Sequence, residues 1–128
     1  MPTRQRVEAF IEAVVHGDHA QAIRDFYHAD ATMQENLEPP RGGRDALVAH
    51  EQAALARLSR MHTHAPDTFL VDGDKVTIVW TFDATDKKGV TRRLNEVTLQ
   101  HWTGDRIARE RFIYDTATAW AVVGGDGG

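Results

Sequence analysis

Residues 92–114 read RRLNEVTLQHWTGDRIARERFIY, a stretch in which polar and apolar side chains alternate on both sides of Gly104-Asp105. A period of two, with β-branched and aromatic residues enriched, is typical of strands that bury one face. Glycine followed by aspartate is a tight-turn sequence. We therefore predict an antiparallel hairpin made of a long strand from Arg92 to Thr103 and a last strand from Arg106 to Tyr114.

The length of this turn decides which side chains of the hairpin share a face. If Gly104-Asp105 is a two-residue turn, Thr103 pairs with Arg106, and counting outward pairs Leu99 with Glu110. One face is then mainly apolar and is predicted to face the interior: Asn95, Val97, Leu99, His101, Ala108, Glu110, Phe112 and Tyr114. The other face mixes charged, aromatic and branched residues, which suits a partner surface: Glu96, Thr98, Gln100, Trp102, Ile107, Arg109, Arg111 and Ile113.

The chain before residue 62 has a different period, because its apolar residues recur at spacings of three and four. This spacing places them on one face of a helix. We predict a first helix over Arg4–His16, which Gly17 ends. A short second helix is capped by Asp18, and a third, the longest, has apolar residues from Leu47 to Met61. Between the last two, Ala31–Glu35 is predicted to be a short strand.

The two halves together define a fold class. Thr68–Val71 and Lys75–Phe82 flank the turn sequence Asp72-Gly73-Asp74, which predicts another hairpin before the closing one. Helices followed by antiparallel strands belong to the α+β class, with the helices gathered on one face of a bent sheet. That face is the buried one.

Composition limits the organisation and the partners of the chain. Its 128 residues, 41% of them apolar, suit one domain over residues 1–123, followed by a flexible glycine-rich tail at 124–128. A net charge of −4 gives no basic surplus for nucleic acid or an anionic membrane. The chain has no cysteine, and its start leads into an amphipathic segment, so a cytoplasmic location is expected.

Several motifs carry a resemblance to a known family. The first half contains, in order, Val7-x-x-Phe10, Gly17-Asp18, Ile23-x-x-Phe26-Tyr27 and Asp30-Ala31-Thr32, before Gly43 opens a helix. The second half closes with Trp102-Thr103-Gly104-Asp105-Arg106-Ile107 and Arg109-Glu110-Arg111-Phe112. This order resembles the SnoaL-like branch of the nuclear-transport-factor-2-like, ketosteroid-isomerase-like superfamily. The resemblance implies a cone-shaped fold, a small-molecule pocket, frequent homodimers, and functions from isomerases, cyclases and dehydratases to plain ligand binding.

Glu110 is the first candidate catalytic residue. On the register above it lies among Leu99, Phe112 and Tyr114, where loss of water raises the pKa of a carboxyl and suits it to proton transfer. The alternative is a carboxylate neutralised by an arginine or bound to Tyr114, with no chemistry, because an unpartnered buried acid is costly.

Glu35 is the second candidate catalytic residue. The resemblance aligns it with the general base of the ketosteroid isomerases, at the end of the first strand. The tyrosine that meets the oxyanion in those enzymes aligns with Phe10, which has no hydroxyl, so ketosteroid isomerisation itself is not expected. The alternative for Glu35 is a solvated carboxylate beside Asn36.

The remaining predicted site residues shape a ligand pocket rather than react. His62 and His64 would share a strand face, but no third ligand stands at a diagnostic spacing, so neither a metal nor a cofactor is expected. The ligand-binding residues are predicted to be Tyr27, Trp80, Leu99, His101, Phe112 and Tyr114.

These residues favour a small-molecule pocket with two functional hypotheses. One is a cofactor-independent isomerase, cyclase or dehydratase that uses carboxylate acid–base chemistry. The other is a non-catalytic ligand-binding or dimerisation module of the same fold. We also predict a homodimer through the second sheet face, with Glu96, Gln100, Trp102, Arg109 and Arg111 in the contact. The alternative is a monomer whose segment around Trp120 covers that face.

Overall fold

The computed structural model describes residues 1–123, and the predicted tail at 124–128 lies outside the described residues. Within that range the chain forms three helices and eight strands, which confirms the predicted α+β class. In chain order these are α1 Arg4–His16, α2 His19–Phe26, β1 Tyr27–Glu35, β2 Arg41–Gly42, α3 Arg44–Ala56, β3 Leu58–Thr63, β4 Phe69–Asp72, β5 Lys75–Asp86, β6 Thr91–Thr103, β7 Arg106–Ile113 and β8 Ala121–Val122.

Short-range contacts set the boundary between the first two helices, as the sequence predicts. The Asp18 side chain accepts hydrogen bonds from two backbone N–H groups in the first turn of α2. At Gly17 a Cβ atom would lie 2.7 Å from the carbonyl oxygen of Ala13, so a larger residue does not fit. Glycine therefore ends α1, and aspartate begins α2.

The strands described in residues 1–123 form one curved sheet. Its order is β2-β1-β7-β6-β5-β3, with β4 paired to β5 and β8 paired to β6. β1 and β7 run parallel, whereas the other pairs are antiparallel, so the sheet is mostly antiparallel as predicted. Apolar residues of the helices and of one sheet face form a shared core. Within the described range, each helix is too short or too polar to span a bilayer.

The third helix is shorter than predicted. It ends at Ala56, and the residues from Leu58 to Thr63 form β3, which pairs antiparallel with β5. The spacing of three between Leu58 and Met61 fits a helix, but in the structure these residues pair with β5, with a register shift between Leu58 and Arg60. The first strand is longer than predicted, because it begins at Tyr27 rather than Ala31.

The closing hairpin contains a β-bulge that the sequence prediction did not include. Trp102 pairs with Ile107 as counted, but the register then shifts, and His101 pairs with Arg109. Ala108 is the extra residue, so two residues of β7 oppose one of β6. Beyond the bulge Glu110 therefore faces Gln100 rather than Leu99.

The two faces of β6 are the reverse of the predicted ones. Trp102 is 1% exposed and Gln100 is 0% exposed, so both belong to the interior. Leu99, at 42%, lies on the outer face. The prediction that Glu96, Gln100 and Trp102 form a partner surface is therefore wrong. Of the predicted contact residues, Arg109 and Arg111 remain on the outer side, opposite His101 and Leu99 respectively.

Candidate functional site

A cavity of about 300 Å³ opens between the helices and the buried face of the sheet. Pockets of this kind, mostly apolar with a few polar groups, suit small organic molecules. Four glutamates of the described chain reach it, namely Glu35, Glu51, Glu96 and Glu110. Its apolar walls come from all three helices, from the sheet and from the turn before β8: Phe10, Val14, Ala22, Ile23, Met33, Leu47, Ala54, Met61, Trp80, Phe82, Leu94, Phe112 and Trp120.

Glu96 is the carboxyl that the sequence prediction missed. It extends from β6 into the cavity opposite Trp80, is 8% exposed, and has no hydrogen-bond donor among residues 1–123. Burial raises the pKa of Glu96 to about 8, and the negative charges of Glu110 and other nearby glutamates add to the effect. The group is therefore mostly a protonated acid at neutral pH, able to donate a proton into an apolar pocket.

One signal in the sequence points to Glu96. The alternation Val76, Ile78, Trp80 places Trp80 on the buried face of β5. Pairing across the turn that follows β5 sets Trp80 opposite Glu96, and residues opposite one another share a face. Counting pairs along the closing hairpin without its bulge instead predicts that Glu96 lies on the outer face of the sheet.

Glu110 lies at the floor of the cavity and is 3% exposed, so its predicted burial is observed. Thr98 donates a hydrogen bond to it at 2.6 Å, Gln100 donates one at 2.7 Å, and the hydroxyl of Tyr27 donates a third. Burial raises the pKa of Glu110, although these hydrogen bonds oppose the effect. Burial and the adjacent Glu110 also raise the pKa of Tyr27 well above its usual value. The tyrosine bonded to Glu110 is Tyr27, whereas Tyr114, which the alternative interpretation placed there, is bonded to Glu35.

Glu35 lies at the rim of the cavity. Arg41 donates a hydrogen bond to one carboxylate oxygen at 2.8 Å, and the hydroxyl of Tyr114 donates to the other at 2.8 Å. Burial alone would raise the pKa of Glu35, but the bonds from Arg41 and Tyr114 outweigh it and hold the pKa below its usual value. Burial, together with Glu35, raises the pKa of Tyr114 to about 12. Glu35 is therefore ionised and held in place.

The structure brings most of the predicted site residues together, but not all of them. Tyr27, Trp80 and Phe112 line the cavity with the two predicted carboxyls, and Tyr114 contacts it through its bond to Glu35. Leu99 and His101 do not belong to it. They alternate along β6 with Gln100 and Trp102, which face the interior, so they lie on the outer face of the sheet and line a separate groove there.

Two histidines and a glutamate from the helices complete the polar wall. His50 and Glu51 of α3 reach the cavity together with His19, the first residue of α2. None of these three residues is among the site residues predicted from the sequence. Within residues 1–123 no three histidine, aspartate or glutamate side chains are grouped so as to hold a metal ion.

Three helices on a curved sheet, with an acid-lined apolar cavity between them, define the ketosteroid-isomerase-like, nuclear-transport-factor-2-like class of fold. The sequence profile of the SnoaL-like domain matches residues 7–110, and the chain belongs to the SnoaL-like family. No curated protein matches the chain.

Solved structures agree with this assignment. A candidate SnoaL-like polyketide cyclase from Mesorhizobium loti is 26% identical, with a TM-score of 0.72 over 89% of this chain and 100% of that one. A candidate polyketide cyclase from Xanthomonas campestris is 22% identical, with a TM-score of 0.75 over 89% of this chain and 93% of the other. A protein with a ketosteroid-isomerase-like fold from Catenulispora acidiphila, in complex with trimethylamine, is 21% identical, with a TM-score of 0.74 over 91% of this chain and 90% of the other. At 22% and 21% identity, the last two structures show only that the fold is shared.

Proposed function

We propose that this protein binds a small organic carbonyl compound and catalyses proton transfer on it without a cofactor, as an isomerase, cyclase or dehydratase. The observation that carries the proposal is Glu96, a buried and unpartnered acid that faces an apolar cavity. Its proton is available where a carbonyl oxygen gains negative charge. The candidate cyclases that share the fold support this class of reaction. A cytoplasmic location, expected from the cysteine-free chain, belongs to the same proposal.

The two carboxyls predicted from the sequence take supporting roles in this proposal. Glu110 accepts three hydrogen bonds and fixes Tyr27 at the floor of the cavity. Glu35 stays ionised beside Arg41, and its charge helps to raise the pKa of Glu96. Groups whose environments push their pKa values apart are the usual arrangement for acid–base chemistry.

Binding of 4-nitrophenol tests the proposal, because its phenolate resembles the enolate formed from a carbonyl compound. We expect the phenolate to bind the wild type near neutral pH, with Glu96 donating the hydrogen bond. Glu96→Gln keeps the side-chain shape but replaces the acid by a weaker amide donor. We expect its dissociation constant to rise about tenfold, and the absorbance of the phenolate follows the binding. The matched control is Glu12→Gln, an exposed position on α1. Equal affinity of wild type and Glu96→Gln would contradict the role of Glu96.

A second candidate function is non-catalytic binding of a small amine. Trp80 and Phe82 stack in the cavity wall with ring centroids 5.5 Å apart, next to the carboxyl groups. Aromatic faces and carboxylates together attract a cation. The Catenulispora acidiphila structure contains trimethylamine. Binding of trimethylamine by the wild type, together with no binding of 4-nitrophenol, would favour amine binding over catalysis of proton transfer.

We also propose a homodimer formed through the outer face of the sheet. Val79 and Val97 are opposite one another there, and with Leu99 and Ile113 they are 45%, 37%, 42% and 40% exposed. Neighbouring apolar side chains exposed to this extent are typical of a contact surface. Trp120 does not cover this face, because it lies at the cavity. A second copy related by a twofold axis would bury the patch against itself.

Replacing Leu99 by glutamate is expected to convert this dimer to monomers. The substitution places a charge in the apolar contact without touching the core, since Leu99 is 42% exposed. Sedimentation equilibrium should give about twice the 14.3 kDa chain mass for the wild type and the chain mass for the variant. The control is Leu37→Glu at a position that is 83% exposed in the loop after β1. A wild-type monomer, or a dimer that survives Leu99→Glu, would refute the interface.

A further inference from the structure

The carboxyl groups of the cavity differ in how their oxygens are engaged. Glu110 is enclosed by three donors, and both oxygens of Glu35 accept side-chain hydrogen bonds. Glu96 is the proton donor in the proposed function. Glu51 is left, and within residues 1–123 the one side chain paired with its carboxylate is His19, whose Nδ1 lies 3.5 Å from its Oε2. Of the four, Glu51 is therefore the carboxylate with lone pairs free to take a proton from a ligand.

His19 is itself held from the other side. Its Nε2 lies 2.8 Å from Oγ1 of Thr63, which is 4% exposed, and its ring packs edge-on against Phe82. When the threonine hydroxyl donates to Nε2, the ring proton lies on Nδ1, toward Glu51. A ring fixed in this way limits the positions that the Glu51 carboxylate can adopt.

Glu51 and Glu96 reach the cavity from opposite walls. Glu51 extends from α3 on the helical side, whereas Glu96 extends from β6 on the sheet side. A ligand between the helices and the sheet would contact both carboxyl groups. This is the placement that a proton transfer between two atoms of one ligand requires.

We propose that Glu51 is the base of this site and that His19 is the residue that positions it, an assignment that rests on the proposed function with Glu96 as the acid. Glu51 takes a proton from the carbon next to a carbonyl, and the electrons of that C–H bond form a C=C bond. The carbonyl oxygen takes the proton of Glu96, which leaves an enol, a protonated Glu51 and an ionised Glu96. Where a further C=C bond of the ligand is conjugated with this enol, the proton on Glu51 passes to the far carbon of the resulting dienol and the enol O–H returns its proton to Glu96, which restores both groups.

The elimination of 5-nitrobenzisoxazole tests for such a base without knowledge of the natural substrate. A base removes the proton on the ring carbon next to nitrogen, and the electrons of that bond form a nitrile. The N–O bond breaks, and the oxygen leaves as a coloured phenolate, which measures the rate. We expect the wild type to accelerate this reaction above the buffer rate, because the cavity would hold the compound within reach of a positioned carboxylate.

Glu51→Gln is expected to lower kcat by at least about tenfold, toward the factor of ~10²–10⁴ that a positioned base contributes, with little change in KM. His19→Ala should lower kcat as well, and His19→Gln, which keeps a donor and an acceptor, should restore part of it. A merely structural role of His19 would not give this rescue. Glu12→Gln on the exposed side of α1 is the matched control and should keep the wild-type rate.

Three outcomes would overturn the assignment. They are a wild type no faster than buffer, a Glu51→Gln variant that keeps its rate, and a loss confined to Glu35→Gln. None of these outcomes bears on the role of Glu96 as the acid, because binding of 4-nitrophenol tests Glu96 separately. A Glu51→Gln variant that binds 4-nitrophenol but no longer eliminates supports both proposals. A wild type that eliminates but does not bind the phenolate refutes the proposed function and leaves the base assignment standing.

Discussion

Glu96→Gln is expected to be more stable than the wild type at alkaline pH and equally stable in acid. The pKa of Glu96 is about 8 in the folded protein, against 4.5 as the ordinary value. Below 4.5 both the folded and the unfolded chain carry the proton, so the group has no effect on stability. Between 4.5 and 8 the unfolded chain releases its proton while the folded chain keeps it, so the wild type loses stability as the pH rises. Above pH 8 both the folded and the unfolded chain have released the proton, so the stability of the wild type falls no further.

The size of this effect follows from the size of the pKa shift. Each pKa unit corresponds to about 1.4 kcal/mol, so the wild type loses up to about 4–5 kcal/mol relative to the glutamine variant. Urea unfolding at about pH 5, 7 and 9, at one fixed protein concentration, measures the difference between the two proteins. A constant difference across this range would show that Glu96 titrates normally and is not buried as an acid.

Trp102→Ala is expected to cost about 3–5 kcal/mol of folding free energy. Trp102 is 1% exposed, packs edge-on against Phe10 with ring centroids 6.2 Å apart, and donates a hydrogen bond from its indole to Gln100 at 2.9 Å. Truncation leaves a cavity and removes the donor that Gln100 needs in the interior. Urea unfolding gives the loss, and Trp102→Phe is a milder variant should the alanine variant not fold.

Trp120→Ala is the matched control for this change. Trp120 is 39% exposed at the cavity, so its truncation removes less buried surface and should cost well under half as much. Equal losses at the two positions would contradict the burial of Trp102. They would also reopen the assignment of Trp102 to the interior rather than to a partner surface.

Features that depend on short-range signals could be predicted from the sequence. The end of α1 at Gly17 and the start of α2 after Asp18 follow from backbone and capping preferences of single residues. The closing hairpin and its turn follow from alternation around Gly104-Asp105. Glu110 was correctly placed in the interior, although with the wrong neighbours on β6.

The rest depends on contacts between distant residues. The bulge at Ala108 has no marker in the sequence, because alanine fits regular and bulged strands equally well. Glu96 was assigned to the outer face because pairs counted from the turn without the bulge put it on the side opposite to Glu110, and its burial agrees with its pairing with Trp80 across the sheet. Glu51 and His19 meet only when α2 and α3 pack together, which no local pattern specifies.

The extra residue in β7 also matters for aligning relatives of this chain. A relative that lacks a residue at Ala108 would form a regular ladder and still place its acid opposite Gln100. An alignment that puts the gap after Glu110 would instead compare that acid with Arg109, a residue of the other face. Counting from the turn is therefore safe as far as Ile107, and beyond it equivalent positions have to be assigned by their partners on β6.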